Sequence, residues 1–223
     1  MEASLDTNVI IHLYKANFQA ILFKRFEKLK VYEFIREHEM DNHATPEIIN
    51  QFDKDVEAEK IELITDTYLK TIGMYDMFQQ HIKNIRILFD GGDLGEVYAI
   101  AVAKTLGCIS LVTDDIKERG PHYLLMRIPD SDVMPFAFYE ILFLDYLEQG
   151  ITEEELLNCF NVICDLSDLK MNCSSKLKAF MKRFWIDPYN ESEKEWMKSF
   201  CTYKNIDAKQ KILKLHTYLK GEL

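Results

Sequence analysis

Glycine and proline are scarce in this 223-residue chain, at eight and five residues. A many-turned β-sandwich needs more of both, so the balance favours helices. Cysteine is sparse as well. Cys108, Cys159, Cys164, Cys173 and Cys201 are odd in number and form no CxxC pair. That argues against a disulfide framework or a zinc site and leaves buried free thiols as the expected state. No apolar run reaches the roughly 20 residues needed to span a bilayer, so no membrane contact is expected. The opening MEASLDTNVIIHLYK lacks the positive start and small-residue cleavage site of a secretory signal, and a soluble, cytoplasmic protein is expected. Basic charge is also short: 27 Lys and Arg against 37 Asp and Glu give a formal charge of −10. That argues against wholesale electrostatic attraction to nucleic acid.

Apolar residues make up 48% and charged residues 29% of the chain, enough of each for a folded domain with a sizeable core. ASLDTNVIIHLY opens with a short apolar run ending at Asp6 and continues in a helical pattern. VYEFI (31–35) and KIELIT (60–65) read as further strands, and Thr45-Pro46-Glu47 as a helix start. GEVYAIAVAKTLG has the length and terminal Gly107 of a helix that is apolar nearly all round, with Ala99, Ala101 and Ala103 permitting close packing on a sheet. CISLV (108–112) is a continuous apolar run typical of a parallel strand buried on both faces. Strands alternating with helices define an α/β fold with a central parallel sheet flanked by helices. From about residue 131 the strand signals stop. Capping boxes at Thr152/Glu155 and Ser192/Glu195 and a closing AKQKILKLHTYLK mark an α-helical C-terminal extension, residues 131–223. Two basic stretches interleaved with aromatics, KANFQAILFKRFEKLK (15–30) and KLKAFMKRFW (176–185), read first as solvated helix faces and second as contacts for a single strand of nucleic acid.

Acids stand at the ends of these elements. Asp6 follows the first strand, Asp114 and Asp115 follow CISLV, and Asp93 and Glu96 share one face of the first turn of the intervening helix. In an open parallel sheet, ligands gather beyond the carboxyl ends of the strands. The helix feeding the parallel strand is expected to start at the opposite edge of the sheet, so uniting Asp93 and Glu96 with the other acids calls for a sharp crossing or a recessed start. Several carboxylates brought together need a compensating cation, and Mg²⁺ or Mn²⁺ suits an oxygen-only set. Such a site, with no catalytic Cys, His or Lys, fits phosphodiester hydrolysis, one ion activating water and another stabilising the leaving oxygen.

SLDTNVIIHLY, DLGEVYAIAVAKTLG and SLVTDDIKERG, in that order and spacing, resemble the PIN-domain family over roughly residues 1–130. The resemblance implies a PIN-like nuclease domain over 1–130 with an acidic cluster that binds Mg²⁺ or Mn²⁺. It also implies endoribonuclease activity, often as the toxin of a toxin–antitoxin pair, with RNA and an antitoxin or other protein as partners and a homo-oligomer as a further expectation. Carried over by motif, Asp6, Glu39, Glu96 and Asp114 are the expected catalytic acids. Asp6, Asp93, Glu96, Asp114 and Asp115 are the expected metal ligands, supported by Thr7, Asn8 and Thr113. Which of Asp114 and Asp115 ligates directly stays open, and Glu37 and Glu47 are alternatives to Glu39. His38 and His43, five apart, miss the HExxH spacing of a zinc site. Asn8 rules out a DxDxT phosphatase motif, and GGDLGE lacks the GK[ST] ending of a P-loop. The rival readings are a non-catalytic PIN-like module binding RNA or protein, and an acid-rich phosphatase.

Overall fold

The computed structural model describes residues 1–88, 94–128 and 131–221. The chain divides into two compact units, Met1–Phe138 and Tyr139–Leu223. In the first, β1 (Glu2–Leu5) runs into α1 (Thr7–Lys15) and α2 (Ala20–Arg25). β2 (Lys28–Tyr32) is followed by a π-helical turn (Ile35–Met40), the short α3 (Asp41–His43) and α4 (Pro46–Glu57). β3 (Ile61–Ile64) leads to α5 (Asp66–Thr71), α6 (Tyr75–Leu88) and α7 (Leu94–Leu106); β4 (Ser110–Val112), α8 (Pro121–Arg127) and β5 (Met134–Phe136) follow.

The five strands form one sheet in the order β3-β2-β1-β4-β5, every pair parallel. This is the expected α/β architecture. β1 and β4 lie in the middle of it, and Ala3, Leu5, Leu111 and Val112 are wholly buried, as a strand covered on both faces requires. α7 packs on β1, β2 and β4. Its Ala99, Ala101 and Ala103 are fully buried, their small side chains bringing the helix close to the sheet. Gly107, at φ +67°, terminates α7 in the left-handed region that glycine adopts without strain.

Three strands differ from expectation. β4 spans Ser110–Val112 rather than 108–112: Cys108 and Ile109 precede it, and Ile109 is 49% exposed. β2 spans Lys28–Tyr32 rather than 31–35, because the chain turns π-helical at Ile35 and Glu33 already lies beyond the strand. β5 continues the sheet beyond residue 130 and has no counterpart in the pattern reading. It is three residues long and contains Pro135, a residue that fits only an edge strand. The edge position in the strand order accommodates it.

The second unit is helical throughout its described residues. α9 (Phe138–Leu147, its first residue in the first unit) precedes α10 (Glu153–Leu166) and α11 (Cys173–Met181), which runs into a π-helical turn (Lys182–Ile186). α12 (Glu191–Tyr203) and α13 (Ala208–Leu219) complete the helical extension. Thr152 and Glu155 form the expected reciprocal capping box on α10. α12 is capped by Asn190, whose side chain accepts from the Ser192 N–H, so the start lies two residues before the expected Ser192. Phe143, Phe180 and Phe184 form the aromatic core, with centroids 5.3 and 5.0 Å apart in sequence order.

The two basic aromatic stretches are divided: Lys15, Lys24, Lys28, Lys178 and Lys182 are exposed, as solvated faces require, and other residues of the stretches are buried. Phe26, Phe180 and Phe184 are core residues. Lys30 is buried between Glu2 and Glu62 on the flanking strands, and Arg183 is buried with Glu140 and Glu193. These residues answer to packing and charge neutralisation rather than to a strand of nucleic acid. Cys108, Cys164 and Cys173 are buried free thiols, and burial pushes Cys108 up to about 11 and Cys173 up to about 12. Among the described residues, no helix is long and apolar enough to cross a membrane.

Candidate functional site

The strand order reverses direction between β1 and β4. From β1 the chain proceeds outward to β2 and β3; from β4 it proceeds the other way to β5. Connections leaving two adjacent strands in opposite directions open a crevice beyond their carboxyl ends, where ligands of open α/β sheets bind. Asp6 is the first residue past β1, and Thr113, Asp114 and Asp115 are the first three past β4.

Asp6 caps α1 in extended conformation, and its Oδ1 accepts from the Thr7 N–H at 2.8 Å. Its Oδ2 accepts from the Thr113 hydroxyl at 2.8 Å, and its own N–H donates to the Val112 carbonyl at 3.0 Å. The Thr113 oxygen in turn accepts from the Asp115 N–H at 3.2 Å. One hydroxyl thus ties the end of β1 to the turn after β4. Asp6 is only 2% exposed. A buried carboxylate is tolerated when hydrogen bonds replace its lost water, and these donors do so.

Asp114 is held from the other side. Its side chain is completely buried; Oδ1 accepts from the Phe138 N–H at 2.9 Å, beyond the end of β5, and Oδ2 pairs with His12 Nδ1 of α1 at 2.8 Å. A carboxylate at Nδ1 favours the proton there and leaves Nε2 as the ring's second hydrogen-bonding position. Asp115 has a different role. Its Oδ2 lies 2.6 Å from Lys117 Nζ and its Oδ1 accepts from the Lys117 N–H at 3.3 Å. It fills the space beside Gly120, where an added Cβ would lie 2.4 Å from Asp115 Oδ1 and 2.7 Å from its carbonyl oxygen. Gly120 therefore permits the turn to close over Asp115 at a position whose backbone dihedrals are ordinary.

Glu96 sits in the first turn of α7 and is 6% exposed. Two residues on, the Tyr98 ring packs against Tyr32, the last residue of β2, at 4.9 Å and against Phe34 at 4.8 Å. α7 therefore begins at the carboxyl edge of the sheet and runs back antiparallel to the strands before β4 starts. No sharp crossing or recessed start is involved. A helix that feeds a parallel strand must end where that strand begins, which puts its own start at the opposite, carboxyl edge. Asp93 lies outside the described residues.

The remaining expected residues scatter. Thr7 is buried beside Asp6, and its hydroxyl has no hydrogen-bond partner among the described residues. Asn8 is exposed. Glu39 is half-buried in the π-helical turn, while Glu37, His38 and His43 are exposed. Glu47 is exposed at the start of α4, where a backbone hydrogen bond holds its carboxyl below the usual range. A residue missed by pattern reading, Glu33, is the first past β2. Its Oε1 accepts from the Asp66 N–H at 2.7 Å, and Asp66 accepts from the Tyr32 hydroxyl at 2.7 Å. Burial and then Asp66 push the Tyr32 phenol well above its usual value. With β2 correctly ended at Tyr32, Glu33 stands after its strand as Asp6 does after β1.

Asp6, Asp114 and Glu96 thus lie more than nine-tenths buried on elements that end or begin at one edge. Oxygen donors of this type suit a hard divalent cation, and the orphaned Thr7 hydroxyl adds a neutral oxygen beside Asp6. Among the described residues, no three His, Cys, Asp or Glu side chains are already arranged as a metal cage. The chemistry of the donor set fits Mg²⁺ or Mn²⁺, and Asp6 and Asp114 as they stand accept hydrogen bonds. Comparison of the chain with protein-family models, curated proteins and solved structures gives no match.

Proposed function

We propose that this chain is a PIN-like, Mg²⁺- or Mn²⁺-dependent endonuclease whose substrate is RNA. The observation that carries the reading is the burial of Asp6 and Asp114 at the switch point of a β3-β2-β1-β4-β5 parallel sheet, with Glu96 at the same edge. Asp6, Glu96 and Asp114 are the residues that would hold the cation. A bound Mg²⁺ or Mn²⁺ supplies charge neutralisation at the phosphate and acidifies water for attack on phosphorus. The chain's own groups do the positioning. Thr113 orients Asp6, the Phe138 N–H and His12 orient Asp114, and Asp115 with Gly120 shapes the turn that carries Thr113 and Asp114. Ligands held by outer hydrogen bonds keep their geometry when charge is added or removed. A role as the toxin of a toxin–antitoxin pair, with a protein antitoxin, belongs to the same reading.

The test is cleavage of a fluorescein-labelled single-stranded RNA by the pure full chain in Mn²⁺, with and without chelator, beside Asp6→Asn and Asp114→Asn. Cleavage should vanish with chelator and fall at least about 100-fold in each variant. Retained cleavage in both variants sinks the proposal. RNA binding with no cleavage and no calorimetric uptake of Mn²⁺ identifies a binding module instead.

A further inference from the structure

The second unit carries an open groove of about 530 Å³ between α11 with its π-helical turn and α13. Its floor is apolar: Met181, Trp185, Ile212 and Leu213, with Leu213 64% exposed. Its rim carries the cationic Lys178 and Lys209 and the imidazole of His216. Neither Lys178 nor Lys209 makes an ion pair among the described residues, although the chain as a whole carries a formal charge of −10. Elsewhere in this unit, surface lysines find acids, as Lys214 does with Glu153 at 2.8 Å and Lys204 with Glu148 at 3.0 Å.

The spacing along each wall is helical. Lys178, Met181 and Trp185 lie at i, i+3 and i+7; Lys209 and Leu213, and Ile212 and His216, lie at i and i+4. Two neighbouring helices that both turn such a row toward one groove form the seat into which a third helix sets its ridge. We propose that this groove docks an acidic amphipathic helix from a partner protein, apolar ridge on Trp185, Ile212 and Leu213 and carboxylates on Lys178, Lys209 and His216. A second copy of the chain does not offer that helix: its most acidic one, α10, already buries Leu156, Phe160 and Ile163 in its own unit. The near absence of polar groups on the floor also disfavours a nucleobase, which would leave its hydrogen-bonding edge unsatisfied.

The test uses the full chain and fluorescence anisotropy of a labelled helical peptide. The peptide carries Leu at i, i+3, i+4 and i+7 and Glu at its other surface positions. A twin peptide has Gln in place of Glu, and dodecanoate serves as a competitor. At low salt the acidic peptide should bind at least 10-fold more tightly than its twin, and added salt should erase the difference. Binding should weaken at least 10-fold in Leu213→Glu and in Lys178→Glu/Lys209→Glu, all exposed positions, while the same charge change at Lys15 and Lys198 leaves it within twofold. Equal affinity for the two peptides, no binding of either, or an equal loss in the Lys15/Lys198 control overturns the proposal. So does dodecanoate binding, read by intrinsic tryptophan fluorescence, where neither peptide binds, which would make the groove an alkyl-chain site. Self-association abolished by Leu213→Glu would assign the groove to a second copy instead, and equally overturns it.

Discussion

Buried carboxylates occur in both units, and the two are stabilised differently. In the helical unit, Glu140 and Glu193 converge on Arg183: two oxygens of Glu140 lie 2.9 Å from Nη1, and Glu193 takes Nε at 2.8 Å. At the sheet edge, Asp6 is held by the Thr7 amide and the Thr113 hydroxyl, and Asp114 by the Phe138 amide and His12. A guanidinium is permanently charged and matches carboxylates through a planar fork, so its partners are committed to it. Amide and hydroxyl donors stabilise a carboxylate without cancelling its charge. The first arrangement is a buried ion cluster around one guanidinium; the second joins carboxylates to amide, hydroxyl and imidazole groups at the ends of two strands.

The largest test of this contrast is Arg183→Met. Two buried carboxylates lose their common partner, and a loss of about 3–5 kcal/mol in urea unfolding is expected. Its pH dependence has a definite sign. Without the guanidinium, two carboxylates are buried without their cation, so the penalty is greatest when both are charged. The variant should regain stability as pH falls and the buried carboxylates take up protons. A variant equally impaired at pH 5 and pH 8 would mean that Arg183 acts through its packing.

His12→Ala should cost less, about 1–3 kcal/mol, because the Phe138 amide still serves the wholly buried Asp114. If its cost equals that of Arg183→Met, the distinction between the two kinds of support fails. The smallest effect is expected where a carboxylate is only partly covered. Lys30 donates to Glu2 and holds its carboxyl below the usual range. A lowered folded pKa adds stability above the unfolded value and loses it as pH falls through the folded one. Wild-type stability should therefore decline below about pH 4.5, and Lys30→Met should show a shallower decline there in thermal melts.

Much of the central architecture was legible because its elements are locally consistent. A strand buried on both faces is largely apolar, and Leu111 and Val112 of β4 are; β1 and β4 each stop just before a polar residue, Asp6 and Thr113. What was not legible depends on distance or on short elements. His12 and Asp114 are 102 residues apart, and the Arg183–Glu140 pair 43 apart; no local pattern announces either. β5 escapes because three residues with a central proline carry no periodicity. Phe34 and Ile35 look like strand residues and extended β2 too far in the pattern, which hid Glu33 as a strand-end acid. The start of α7 was misplaced for a different reason. The direction of a crossover helix follows from the polarity of the strand it feeds, a property of topology rather than of the helix's own residues.

Pro135 has a consequence beyond concealing β5. Met134 donates its N–H to the Ile109 carbonyl and Phe136 accepts from the Thr113 N–H, so both residues spend their backbone groups inward on β4. In a strand the intervening residue turns its amide the other way, and at position 135 that outward amide carries no hydrogen. A further strand arriving at this border of the sheet would meet a missing donor in the middle of its ladder. Extension of the sheet from molecule to molecule is thereby discouraged at one of its two margins, and assembly through that border would have to rely on side chains rather than on shared backbone pairing.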